Sequence, residues 1–416
     1  MQSKDFSSYE KTTLDNGITV ISEAIYSVRS IAVGVWVKTG SRAERISENG
    51  IAHFLEHMIF KGTHKRSPLK IAQSMESLGG SLNAFTGKEV TCYFTNSLDT
   101  HLRNAVEVLA DIVCNSIFPQ KEVVRERTVI LEEIKSIKDT PEEYIFDIFH
   151  EKLFPGNSIG RPILGREEII SKMNRSDIQS FWSKNYSGEN VVISASGNLD
   201  HTKLVKLVEK YFNFGLSNGK KVGVQPVKSA VSDSFSFDQP ISQAHLCTGG
   251  KSISYTSEDR FPLMVINSYL GGGMSSRLFQ QIREKRGLAY SVYSFVDFYS
   301  DLGLFGIYVG TDPQKLNLVQ NLLRDELKRL ISEPIKKNTM RQIKNQLKGG
   351  LLLALESTSR RMSRLAKNEI YFGDYVPLDR MINDIDKVDQ SDVLSAAQKI
   401  INPENFITVI LNPANL

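Results

Sequence analysis

Hydrophobic and polar positions along this chain alternate between two periods. Short apolar runs, such as those that follow the Glu-Asn turns at Asn190 and Asn405, predict strands. Longer segments with apolar residues three and four apart predict helices. The Gln120 to Lys138 segment is of the second kind, with Val123, Ile130, Ile134 and Ile137 forming one stripe. Gly50 to Gly62 differs: Ile51, Ala52, Phe54, Leu55, Met58, Ile59 and Phe60 surround the axis on nearly every side, which predicts a buried helix. Asn49 or Ser47 is its expected N-cap and Gly62 its expected stop.

A repeat organises the pattern. Asp177-Ile178 and Asp392-Val393 each open a helix, a turn containing Glu-Asn and an apolar strand, and the offset of 215 residues holds from Asp177/Asp392 to Asn190/Asn405. Between the halves, residues 215–230 concentrate Gly, Ser, Lys and a Pro, the composition of a linker. The expected division is therefore 1–214, a linker at 215–230, and 231–416. In each half the order is strands, helices, a strand pair, a long helical stretch, then a closing helix and strand. That order predicts an α+β fold used twice, an antiparallel sheet with helices on one face.

Composition narrows the class. With 416 residues, 41% hydrophobic and 24% charged, collagen-like, disordered and coiled-coil readings fail. No apolar stretch approaches the roughly 18 residues of a membrane span, so no membrane partner is expected. The first residues show neither a secretory nor a transit pattern. A bacterial cytoplasmic location is expected, with a processed mitochondrial matrix form as the alternative. Cys92, Cys114 and Cys247 are an odd number without close spacing, against a disulfide framework. A net charge of +4 from 51 basic and 47 acidic residues, without an aromatic-interleaved basic run, argues against nucleic acid. The run Gly271-Gly272-Gly273 lacks the Gly-Lys-Ser/Thr of a phosphate loop.

The candidate chemistry lies in the buried helix. His53, Glu56 and His57, at i, i+3 and i+4, share one face. Burying them unpaired would cost several kcal/mol. A metal-free hydrogen-bonded cluster would satisfy them, and so would a divalent cation. Two neutral imidazoles one turn apart can chelate zinc, with the carboxylate beside the remaining ligand position. His-x-x-Glu-His is the inverted zinc-protease motif. It needs a third ligand. On a helical wheel Glu126 and Glu133 flank the stripe of the 120–138 helix on one side, whereas Glu132 projects oppositely and should be solvated. Glu126 and Glu133 are thus the plausible ligand and its supporter.

With these residues the sequence resembles the pitrilysin/insulinase-type zinc metallopeptidases (M16), the family of mitochondrial processing peptidase and insulin-degrading enzyme. That family carries the inverted motif followed by a Glu about 76 residues after the second His, and here that position is Glu133. The resemblance implies that His53, His57 and Glu133 bind one zinc per chain, that Glu56 is the general base toward a zinc-bound water, and that Glu126 supports the ligands. It implies two related α+β domains of which only the first keeps the metal. The repeat offset indeed carries His53, Glu56 and His57 onto Ser268, Gly271 and Gly272.

Further residues follow from the resemblance. Arg283 and Tyr290 match a seven-residue Arg/Tyr spacing that holds the substrate backbone. Asn83, Ala84 and Phe85 match the edge strand to which substrate adds. Glu143 and Asp147 occupy positions that receive a substrate arginine in processing peptidases, although the cluster Asp139, Glu142 and Glu143 would equally suit a helix N-terminus. Phe60 matches an apolar pocket on the primed side. The implied protein is an endopeptidase of unfolded or presequence-like peptides, working as a homodimer or with an inactive relative. The rival is a non-catalytic scaffold or assembly subunit; such relatives typically lose the motif retained here.

Overall fold

A computed structural model describes residues 8–214, 227 and 232–414 of the chain. Its architecture is α+β, with two sheets in two compact units. The first sheet contains β1 (Ser8–Thr13), β2 (Thr19–Ala24), β3 (Ser30–Val37), β4 (Ser81–Thr86), β5 (Thr91–Leu98) and β6 (Val191–Gly197), in the order β1-β2-β6-β3-β5-β4. The second contains β7 (Asp233–Gln239), β8 (Ala244–Ser252), β9 (Ala289–Phe298), β10 (Gly303–Thr311) and β11 (Ile407–Pro413), in the order β7-β11-β8-β10-β9. Apart from the additional β1, the two orders correspond strand for strand. Pairing is antiparallel except for one parallel pair in each sheet, β2 with β6 and β7 with β11.

The repeat is visible at atomic level. Asn174 accepts from the backbone N–H of Asp177, whose carboxylate accepts from the N–H of Asn174 in return. Asp389 and Asp392 make the same reciprocal capping box 215 residues later. A short 3-10 turn, Gly188–Asn190 or Pro403–Asn405, then leads each helix into its closing strand.

In the first unit, Ile31, Val33, Val35 and Val37 of β3 point toward the helices Ile51–Ile59, Leu102–Asn115 and Gln120–Lys138. The alternate residues of β3, Ala32 and Trp36, point the other way, and a strand buried on both faces needs cover on both. That cover is a single helix, Thr358–Phe372, whose Met362, Leu365 and Ala366 are buried with Ile21, Trp36, Cys92 and Val192. Glu23 of β2, fully buried, is paired there with Arg361 at 3.3 Å and Arg364 at 3.2 Å. In the second unit the helix Pro141–Leu153 plays the corresponding part, packing Ile145, Phe149 and Leu153 against Cys247, Tyr308 and Val409.

The compact units therefore interleave along the chain: one comprises Met1–Lys135, Arg161–Val224 and Ala354–Tyr375, the other Ser136–Gly160, Gln225–Leu353 and Val376–Leu416. Of the expected linker at 215–230, only Val227 lies within the described residues.

Gly271 ends the helix Arg260–Gly271 where a Cβ would come 1.9 Å from the backbone nitrogen of Ser294, so the glycine run begins at a close helix-to-strand approach. Cys92, Cys114 and Cys247 are free thiols. Among the described residues no helix is long and apolar enough to cross a membrane.

Candidate metal and active site

The helix Ile51–Ile59 buries seven of its nine residues, including His53. Its start differs from the expectation. Gly50 is the N-cap, with φ of 96°, and a Cβ there would sit 2.6 Å from both Leu164 O and Ile170 Cδ1. Neither Asn49 nor Ser47 caps the helix. Two of the orphan N–H groups are met by Glu44, whose Oε2 accepts from Gly50 N at 2.9 Å and whose Oε1 accepts from Ala52 N at 2.9 Å. Asn49 donates its side-chain amide to the same carboxylate. Sequence proximity could not reveal this cap, because the carboxylate reaches in from outside the usual N-cap window.

His53, His57 and Glu133 converge, offering three donor atoms within 4.8 Å of one another. Glu133 Oε2 is 3.9 Å from His53 Nε2 and 3.7 Å from His57 Nε2. Two ligands of a tetrahedral zinc, each about 2.1 Å from the ion, stand about 3.4 Å apart. The two distances from Glu133 are thus a few tenths of an ångström longer than in a closed site. No other such group of three is found among the described residues. The second half's lone histidine, His245, is buried in β8 with Nδ1 2.8 Å from the Tyr308 hydroxyl.

The protonation chemistry suits a cation. Burial, helped by the neighbouring His57, pushes His53 down to about 3, so its ring is neutral over the working range. His57 Nδ1 lies 3.1 Å from Glu126 Oε2. An ionised carboxylate only accepts, so Nδ1 carries the proton and the lone pair of Nε2 faces the triad. His53 Nδ1 is buried without a hydrogen-bond partner among the described residues. This two-imidazole, one-carboxylate set fits zinc with an open position.

Three glutamates of the helix Gln120–Lys138 have distinct places. Glu126 is buried, Glu133 is partly exposed at the triad, and Glu132 is exposed and pairs with Lys135 at 2.8 Å. Lys61 also reaches Glu126, at 2.8 Å from Oε1. Glu56 accepts a hydrogen bond from the Thr86 hydroxyl at 2.5 Å. Burial raises its carboxyl above the ordinary range, with Glu133 adding to the shift and Thr86 and His57 opposing it. The sequence reading missed Glu44, Lys61 and Thr86.

The remaining candidates fall as follows. Asn83, Ala84 and Phe85 lie on β4, which is an edge of the first sheet; Phe85 is 40% exposed and packs edge-on against Trp36. Phe60 lines a pocket of about 210 Å³ with Pro68, Ile71, Ala72 and Leu82. Glu143 and Asp147 lie on the helix Pro141–Leu153, which belongs to the second compact unit, whereas Glu133 belongs to the first. Arg283 sits in a six-residue π-helical turn, Phe279–Glu284, and donates to Tyr290 O at 2.7 Å with its guanidinium 4.9 Å from the Tyr290 ring. The two are thus a preassembled pair, and the ring is 73% exposed.

Comparisons with known proteins identify the family. The profile of the family described as insulinase (peptidase family M16) matches residues 19–167, and that of the peptidase M16 inactive domain matches residues 172–347. An uncharacterized zinc protease of Bacillus subtilis, YmxG, is 38% identical over 97% of this chain and 98% of its own. One of Streptomyces coelicolor is 37% identical over 96% and 89%. Among solved structures, a protease from Helicobacter pylori superposes with a TM-score of 0.93 at 24% identity, covering 98% of this chain and 100% of its own, which establishes the shared fold. The matched profiles and the full-length likeness to these relatives place the chain in peptidase family M16.

Proposed function

We propose that this chain is a zinc-dependent endopeptidase that hydrolyses unfolded or presequence-like peptides taken up as an added strand. The observation that carries the reading is the convergence of His53, His57 and Glu133, with Glu56 on the same helix beside them. The zinc proteases among its relatives support the same reading.

His53, His57 and Glu133 would hold the cation. Bound there, zinc would polarise the scissile carbonyl and make the attacking water more acidic. Glu56 takes the proton from that water and returns it to the leaving amine, a role suited to a carboxyl whose affinity for protons is raised. Glu126 keeps His57 in the ligating tautomer. Asn83, Ala84 and Phe85 offer the backbone edge, Phe60 an apolar seat for one side chain, and Arg283 with Tyr290 a grip on the peptide backbone. Glu143 and Asp147 are proposed to favour a basic residue, and pairing of two copies belongs to the same proposal on the resemblance alone.

The test is a quenched peptide assay on purified protein with and without chelator. Glu56→Gln should abolish cleavage while the protein still binds about one zinc per chain. His53→Ala and Glu133→Ala should lose metal first. Undiminished turnover by Glu56→Gln rejects the role of Glu56. Absence of cleavage by zinc-loaded wild type across unfolded peptides favours the scaffold reading.

A further inference from the structure

Glu56 has one hydrogen-bond partner among the described residues, and it comes from the strand that offers the open edge. Along β4 the side chains alternate, with Ser81, Asn83 and Phe85 exposed and Leu82, Ala84 and Thr86 partly buried. Leu82 and Ala84 pack on the core that contains the metal-site helix. Thr86 continues their row to the end of the strand, where it meets Glu56 in place of more core.

The hydroxyl is held by the backbone on either side. Thr86 pairs with Thr91 of β5. The next residue, Gly87, donates to Val90 O at 2.8 Å and accepts from Ser41 N at 3.1 Å. β-branching stiffens a threonine at χ1, so a fixed backbone leaves its hydroxyl few positions. A glutamate carboxyl, in contrast, swings at the end of three rotatable bonds. Anchoring its Oε2 to Thr86 restrains that swing and leaves Oε1 available. Misplacing a reacting group by about 1 Å can cost on the order of a hundredfold in rate.

We propose that Thr86 is a positioning residue for Glu56, so that the strand edge that registers the peptide also aims the base that cleaves it. This rests on the reading of Glu56 as general base. Peptide pairing along β4 and the direction of the base are then referred to one rigid element, and their relative placement survives motions of that strand.

The experiment uses full-length zinc-loaded protein and a quenched peptide. Thr86→Val, which keeps the shape and removes the donor, should lower kcat about tenfold with KM within about twofold. Thr86→Ser, which restores the donor, should recover most of that loss. Zinc content should equal that of wild type in both. On the Glu56→Gln background, adding Thr86→Val should leave peptide affinity unchanged, as binding of a labelled peptide would show. Unchanged kcat in Thr86→Val overturns the proposal. So does a loss confined to KM, a weakened peptide affinity on the Glu56→Gln background, or a Thr86→Ser variant as impaired as Thr86→Val. If zinc-loaded wild type cleaves nothing, the peptidase reading itself fails and the proposal falls with it, an outcome distinct from an active wild type with an indifferent Thr86.

Discussion

Lys61 Nζ lies 2.8 Å from Glu126 Oε1, while the other oxygen of the same buried carboxylate lies 3.1 Å from His57 Nδ1. One carboxylate is thus shared between a cation that neutralises it and an imidazole that it orients. Removing one partner of a buried pair leaves an uncompensated charge, which drives the remaining group to seek water. Lys61→Met should therefore weaken zinc binding about tenfold, the lower end of what losing support for a metal ligand costs. Lys61→Arg should weaken it less. Competition against a chromophoric chelator measures both, and equal affinity in Lys61→Met and wild type would refute the link.

The open edge of β4 makes a prediction about peptides. A strand that adds to another uses its backbone groups at every second residue. N-methylation of a peptide should weaken binding about tenfold at alternate positions and little at those between, taking each lost bond at about 1 to 1.5 kcal/mol. Affinities measured on the Glu56→Gln variant avoid cleavage. A pattern without the period of two would argue against strand addition.

Glu44 ties stability to pH. Burial pushes its carboxyl up to about 7 from 4.5, against the hydrogen bonds from Asn49, Ala52 N and Gly50 N that pull it down. The folded protein thus keeps this proton to a higher pH than the unfolded chain does. The associated stability is complete below pH 4.5 and is lost as pH rises through 7, by about 3 kcal/mol. Urea unfolding between pH 4.5 and 8, with chelator present to remove metal linkage, should show this fall in wild type and a flatter profile in Glu44→Gln. Parallel profiles would exclude Glu44 as the source.

The pairing of Glu23 with Arg361 and Arg364 holds the helix Thr358–Phe372 to the first sheet. Arg364→Ala should destabilise the first unit by about 3 kcal/mol, since a fully buried carboxylate loses one of its two cations. Denaturant unfolding followed by the fluorescence of Trp36, which that helix covers, reads this directly.

Much of the site was legible because its chemistry is local or periodic. His53, Glu56 and His57 share one turn of helix, and Glu126 and Glu133 declare themselves by flanking an apolar stripe. Glu132, on the opposite face, is exposed as its position on the wheel requires. The repeat was legible from its capping boxes. What stayed hidden depends on contacts distant in sequence. Thr86 reaches Glu56 from 30 residues away and Lys61 reaches Glu126 from 65. No periodicity distinguishes such a threonine or lysine from a surface one. The cover on the outer faces of the sheets was hidden for the same reason: the helices Pro141–Leu153 and Thr358–Phe372 have ordinary amphipathic patterns that do not say which sheet they serve.

That last feature constrains how the protein is made. A ribosome finishes β6 at residue 197, yet the helix that covers Trp36, Ile21 and Val192 is not translated until residues 358–372. At about 5–20 residues per second, the interval is roughly 8–30 s. Through that time the nascent first unit presents a bare apolar surface, a natural target for chaperones. Expressing the N-terminal half by itself would make that interim state permanent.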